Sequence, residues 1–242
     1  MLEVIAFDAD DTLWHNETLY AAAQARFQEL LVPYAPGDGV LEELYETEMA
    51  NLPLFGYGIK SFTLSMIETA LRVSGGRIEV GQIRDIIEIA KEMKRAPVKL
   101  LEHVEEVIRT LAASHRLMLI TKGDLLDQER KIARSGLAAY FGQVEVVTEK
   151  TADVYRTMLK KHGILPERFV MVGNSLRSDI LPVVSLGANA VHIPYHVTWA
   201  HETVPVLPGE AKGYAELEHI GLLPEFVGQL ELHSSKQKEE RR

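Results

Sequence analysis

Val4-Ile5-Ala6-Phe7-Asp8-Ala9-Asp10-Asp11-Thr12-Leu13 is the stretch on which the reading of this chain turns. A four-residue apolar run has the length of a fully buried strand. Two carboxylates two residues apart, Asp8 and Asp10, follow it at once, with a third at Asp11. Like charges that close in a partly dehydrated site push one pKa up, unless a metal ion or a reacting group makes use of both. A turn or helix N-cap accounts for one such acid but not for three. An EF-hand calcium loop also opens with alternating acids, yet it needs an oxygen ligand and then Gly where this chain has Thr12 and Leu13, and no bidentate Glu follows at the required distance.

Four more apolar runs of strand type follow, at 117–120, 144–147, 169–172 and 190–193. Helical patterns separate them. Leu100, Val104, Val107, Ile108 and Leu111 share one helical face, and Val154, Tyr155, Met158 and Leu159 share another. This alternation predicts an α/β fold, a Rossmann-like parallel sheet covered on both faces.

Between the first and second runs the pattern is helical throughout. One helix spans 17–31 and stops at Pro33 and Pro36-Gly37, and a second spans 40–51. A third carries Ile59, Phe62, Met66, Ala70 and Val73 and ends at Gly75-Gly76. The fourth has Val80, Ile83, Ile86, Ile87, Ala90 and Met93 on one stripe before Pro97. Met66 and Met93 are core residues on this reading. The expected organisation is an α/β core of 1–14 and 98–232, an inserted helical domain of 15–97 with hinges at its two ends, and a polar, disordered tail of 233–242.

The 242 residues carry 26 Lys and Arg against 35 Asp and Glu, a net charge of −9 that disfavours nucleic acid and anionic membrane as partners. No cysteine is present, so disulfides, thiolate nucleophiles and cysteine metal sites are excluded, and a cytoplasmic location is expected. No apolar run approaches the ~18 residues of a membrane span. His192, His196 and His201 are close in sequence, but Pro194 breaks any helix that would stack the first two and the spacing fits no zinc pattern.

In an open parallel sheet, ligands bind beyond the carboxyl ends of the strands, which singles out the residues after each run. These are Asp8 and Asp10, then Thr121-Lys122-Gly123-Asp124, then Thr148-Glu149-Lys150, then Gly173-Asn174-Ser175 with Asp179 nearby. A carboxylate can attack phosphorus, a second can move a proton, a hydroxyl and an ammonium can hold phosphoryl oxygens, and further oxygens can hold Mg²⁺.

In their order these motifs resemble the haloacid dehalogenase superfamily, in its phosphatase branch with a helical cap inserted after the first motif. Asp8-Ala9-Asp10-Asp11-Thr12 is similar to the first motif, with Asp11 where Gly is more usual. Ile120-Thr121 is similar to the second, Lys150 to the third, and Gly173-Asn174-Ser175 through Asp179 to the fourth. The resemblance implies a Mg²⁺-dependent hydrolase of a small phosphorylated metabolite, working through an aspartyl-phosphate intermediate.

Under that resemblance Asp8 is nucleophile and metal ligand. Asp10 is general acid and base and offers its main-chain carbonyl to the metal. Thr121 and Lys150 hold the phosphoryl group, and Asp179 completes the metal site. Asn174 stands where the family usually has an acid, and Lys122 where Asn is common. Lys122, with Gly123 beside it, is expected either to give an anionic substrate its positive charge or to be solvated. Apart from the resemblance, the loop Phe55-Gly56-Tyr57-Gly58 between two cap helices is read either as a substrate-contacting element through Tyr57 or as a plain interhelical turn. A monomer or homodimer is expected. Two rivals stand beside this reading: a dehalogenase-type hydrolase, which lacks use for Asp10, and a non-catalytic phosphometabolite-binding regulatory protein, which Asn174 favours. A phosphonate hydrolase needs a cap lysine, and nothing singles out Lys60, Lys91 or Lys94.

Overall fold

The computed structural model describes residues 2–35, 39–204 and 213–240, the last eight by backbone alone. The chain divides into two compact units. The first comprises Met1–His15, Val98–Thr121 and Ile132–Arg242, and the second Asn16–Pro97 and Lys122–Lys131.

The first unit is built on six strands: β1 (Val4–Phe7), β2 (Arg116–Lys122), β3 (Phe141–Val147), β4 (Phe169–Gly173), β5 (Asn189–His192) and β6 (Ala215–Glu216). They form one sheet in the order β3-β2-β1-β4-β5-β6. β1 runs parallel to both β2 and β4, and β4-β5 and β5-β6 are also parallel. The register places Phe7 opposite Leu119 on one side and Val172 on the other.

Successive strand residues face opposite ways, and the core divides accordingly. Ile5 and Phe7 pack with Leu119, Val172 and residues of the helices Val104–Ala112 and Leu223–Glu240. Val4 and Ala6 pack on the other face with Met118, Met171 and the helix Ala152–His162. Burial on both faces explains why β1 is apolar without alternation. The chain winds from β1 through β2 to β3 in one direction and takes β4, β5 and β6 on the other side. The crevice between the ends of β1 and β4 is therefore the switch point where such sheets bind ligands.

The second unit holds α1 (Glu17–Leu31), α2 (Gly39–Phe55), α3 (Ile59–Val73) and α4 (Val80–Arg95) around Phe27, Leu31, Leu44, Phe62, Met66 and Ile86. α2 runs one turn past the expected stop and contains Pro53, tolerated because only the final turn loses a hydrogen bond. The segment 122–131, expected with the core, belongs here. Lys60 Nζ lies 2.8 Å from Asp124 Oδ2, Lys94 Nζ 2.6 Å from Asp127 Oδ2, and Lys131 Nζ 2.7 Å from Asn16 Oδ1. The Lys122 ammonium stands 4.5 Å from the centre of the Tyr57 ring.

Two other expectations are corrected. Strand β6 has two residues, too few to leave a periodic signature. The polar end is helical through Glu240, because Leu223 and Val227 anchor the helix in the core and the Lys, Gln and Glu that follow are good helix formers. Pro36, Gly37, Arg241 and Arg242 lie outside the described residues. No described helix is long and apolar enough to cross a membrane.

Candidate active site

Asp8 emerges from β1 with its amide donating to the Val172 carbonyl at 2.9 Å, which ties it to the end of β4. The chain then turns: the amides of Thr12 and Leu13 both reach the Ala9 carbonyl, at 3.3 and 2.8 Å. The turn holds Asp11 at φ 63°, in the left-handed region. Gly is the usual solution there, and Asp is among the few other residues that tolerate it. The departure at Asp11 thus meets the same backbone demand that a Gly would meet.

Lys150 precedes Thr151, whose side chain caps the helix Ala152–His162. Its ammonium lies between two carboxylates, 2.5 Å from Asp8 Oδ1 and 2.6 Å from Asp179 Oδ1. All three side chains are buried. Burial pushes the Asp8 carboxyl up to about 7, with Lys150 opposing and Asp179 and Asp10 adding to the rise. Burial works to lower the Lys150 pKa, but the Asp179 and Asp8 charges outweigh it and hold the ammonium charged.

Asp179 sits on a π-helical turn, Leu176–Ile180. Its Oδ2 accepts from the Ser175 amide at 3.0 Å. Gly173 is required beside it, since a Cβ at that position would lie 2.3 Å from Asp179 Oδ2. Thr12 joins the first turn to the fourth. Its Oγ1 is 3.0 Å from Asp8 Oδ2 and 3.1 Å from Asn174 Oδ1, and it accepts from the Asn174 amide at 3.1 Å.

Asp8, Lys150 and Asp179 are therefore brought together by direct contacts, and Asn174 joins them through Thr12. Asp10 lies close enough to raise the Asp8 pKa, while its own Oδ1 accepts from Trp14 Nε1 at 2.6 Å. Thr121 is buried at the end of β2, on the same carboxyl edge. Lys122, Gly123 and Tyr57 belong to the helical unit, where Gly123 adopts φ 139° and a Cβ would press to 2.9 Å from Gln128 Nε2.

Sequence reasoning assigned no role to Thr12, Trp14, Ser175, Ser178, Glu202 or His192. Thr12, Ser175 and Ser178 carried a signal, as members of the quoted motifs. His192 is buried on β5, where its Nε2 donates to the Asn174 carbonyl at 3.1 Å.

Among the described residues, no group of three or more His, Asp and Glu side chains is gathered as a metal cluster. Mg²⁺ ordinarily takes only one or two carboxylates, and water and substrate phosphate supply the rest. Asp8 and Asp179 supply two carboxylates, balanced by the single ammonium of Lys150, and Asn174 adds an amide oxygen within the same hydrogen-bonded set. This all-oxygen set fits a hard divalent cation.

The model of the haloacid dehalogenase-like hydrolase family matches residues 2–187. The structure of a haloacid dehalogenase-like family hydrolase from Xanthomonas campestris is 38% identical, with a TM-score of 0.87, and the alignment covers 98% of this chain and 94% of that one. Glyceraldehyde 3-phosphate phosphatase of Pyrococcus furiosus is 27% identical over 250 residues, 98% of this chain and 97% of the relative. The protein of that name from Methanothermobacter thermautotrophicus is 24% identical over 211 residues, 83% of this chain and 89% of the relative.

Proposed function

The chain belongs to the haloacid dehalogenase-like hydrolases, and on that premise we propose that it is a Mg²⁺-dependent phosphatase hydrolysing a small phosphorylated metabolite through an aspartyl-phosphate on Asp8. The observation that carries this reading is the buried Asp8 carboxylate, gripped by Lys150 at 2.5 Å and Thr12 at 3.0 Å, with a second acid two residues on. Bound by Asp8, Asp179, Asn174 and the Asp10 carbonyl, Mg²⁺ would supply positive charge that neutralises the phosphoryl oxygens.

An Asp8 carboxylate oxygen attacks phosphorus, the bond from phosphorus to the ester oxygen breaks, and a proton held at Asp10 passes to the leaving oxygen. Asp10 then takes a proton from the water that attacks the acyl phosphate, which releases inorganic phosphate and restores the Asp8 carboxylate. Thr121 and Lys150 hold the phosphoryl oxygens. Lys122 and Gly123, which follow Thr121 in the chain, and Tyr57, whose ring centre is 4.5 Å from the Lys122 ammonium, are the candidates for recognising the organic part of the substrate.

The named activity of the two archaeal relatives makes a phosphorylated three-carbon sugar the first compound to test. We place this activity in the cytoplasm. A dehalogenase reading loses support from Asp10, because that chemistry has no alkoxide to protonate. A regulatory reading loses support from the assembled Asp8-Lys150-Asp179 group.

The test is turnover of a panel of phosphorylated metabolites with and without Mg²⁺, for wild type and Asp8→Asn. We expect Mg²⁺-dependent release of phosphate and a loss of more than about a thousandfold in the variant. Near-native turnover by Asp8→Asn would overturn the mechanism, and absence of turnover across the panel in wild type would favour the regulatory reading.

A further inference from the structure

Glu202 lies in a 3₁₀ turn, Ala200–Glu202, in the loop that follows β5, far along the chain from the four motifs. Its Oε2 collects two hydroxyls from the turn that carries Asp179, Ser175 Oγ at 2.5 Å and Ser178 Oγ at 2.6 Å. We infer that Glu202 is a positioning residue for the cation site: it clamps Ser175 and Ser178 so that the π-helical turn aims Asp179. The inference rests on the proposed Mg²⁺-dependent reading.

The hydrogen-bond accounting shows why a carboxylate is needed. Ser175 Oγ accepts from the Ser178 amide at 3.0 Å, so its single proton is left for Glu202. Ser178 likewise donates to the same oxygen. Two hydroxyl donors converging on one acceptor suit an ionised carboxylate, and such charge-assisted bonds are the short, strong ones. An amide oxygen offers the same lone pairs without the charge.

Ser175 then carries the constraint to the metal-facing residues. Its amide donates to Asp179 Oδ2 at 3.0 Å and its carbonyl accepts from the Asp179 amide at 2.8 Å, so carboxylate and backbone of Asp179 are both referenced to Ser175. Ser175 is also the next residue after Asn174. A π-helical turn is rare and frequently marks a functional site, and the Ser175 side chain caps this one by accepting from the Ser178 amide. Arg177 fastens the far side of the loop, donating to the His201 carbonyl at 2.7 Å.

Tyr155, buried with its hydroxyl 3.1 Å from the Ser178 carbonyl, is pushed well above the ordinary tyrosine range by burial and by Asp179, Asp8 and Glu202 in turn. The site therefore concentrates carboxylates from three separate segments against one ammonium. Glu202 acts on the site through Ser175 and Ser178, whose hydroxyls its Oε2 accepts.

The test measures Mg²⁺ binding to the substrate-free protein by calorimetry, together with amide hydrogen exchange of the segment 175–180, for wild type and Glu202→Gln. We expect wild type to bind Mg²⁺ and Glu202→Gln to bind it about tenfold more weakly, the lower end of the effect of removing an outer partner, with faster exchange in the turn. Unchanged affinity and exchange in Glu202→Gln overturn the inference and leave the phosphatase reading standing. A wild-type protein that binds no Mg²⁺ overturns both. Should Glu202→Gln fail to fold, Ser178→Ala removes one of the two hydroxyls and is expected to weaken binding about threefold, the worth of one hydrogen bond. Unchanged binding in folded Ser178→Ala also counts against the clamp.

Discussion

The indole nitrogen of Trp14 donates to Asp10 Oδ1 at 2.6 Å, so the acid assigned to proton transfer is held by a buried residue four positions further along the same turn. Trp14→Phe keeps an aromatic ring in the core and removes the donor. A positioned general acid contributes about 10² to 10⁴, and losing its anchor is expected to cost about a tenfold share of that for alkyl phosphates. Activated aryl phosphates need little protonation and should lose less. Equal losses in kcat/KM on the two substrate types would show that Trp14 serves packing alone.

Asn174 touches Thr12, and Thr12 touches Asp8. Asn174→Asp would place another carboxylate in this chain of contacts, where it helps a cation and harms a cation-free site. The Mg²⁺ concentration for half-maximal activity is expected to fall by roughly 10- to 100-fold. The thermal midpoint without Mg²⁺ should fall as well, because like charges are then buried together. An unchanged or higher Mg²⁺ requirement would place position 174 outside the cation's environment.

Gly173→Ala sets a Cβ against the buried Asp179 carboxylate, which is held on its other oxygen by Lys150. The side chain cannot swing away without abandoning the ammonium. Destabilisation of about 1–3 kcal/mol is expected, as for other overpacked sites, with loss of Mg²⁺ binding in the same variant. Denaturant unfolding at fixed pH measures the first effect and calorimetry the second, and native values in both would show that the turn can move.

Glu48 on α2 gives the helical unit a pH dependence unrelated to catalysis. Burial, with Glu17 adding to it, pushes its carboxyl from 4.5 up to about 7. The folded chain keeps a proton that the unfolded chain releases, so stability is lost as pH rises through that window. The loss stops once the folded carboxyl ionises as well. At about 1.4 kcal/mol for each tenfold, the window corresponds to at most about 3 kcal/mol, less for the part of the side chain that water reaches. Glu48→Gln should therefore unfold at a higher temperature than wild type at pH 8 and at the same temperature at pH 4. Parallel pH profiles would show that Glu48 is solvated.

Strand and helix positions were legible because both faces of β1 are buried and α3 and α4 each present an apolar stripe to their core. Such patterns are local, set by which side chains must leave water. Asp8, Lys150 and Asp179, which the structure brings into one ion-paired group, were legible because their types recur in order after strand ends. What only the tertiary structure decided depends on residues far apart in sequence. The segment 122–131 goes with the helical unit through ion pairs to Lys60 and Lys94, although it continues β2 without a break. Glu202, from a loop with no motif of its own, comes to rest on the hydroxyls of Ser175 and Ser178. Gly173 is small because Asp179 lies against it. Periodicity records burial along one element. It carries no record of which distant side chain fills the space beside it, and in this molecule those neighbours set the charge and the aim of the site.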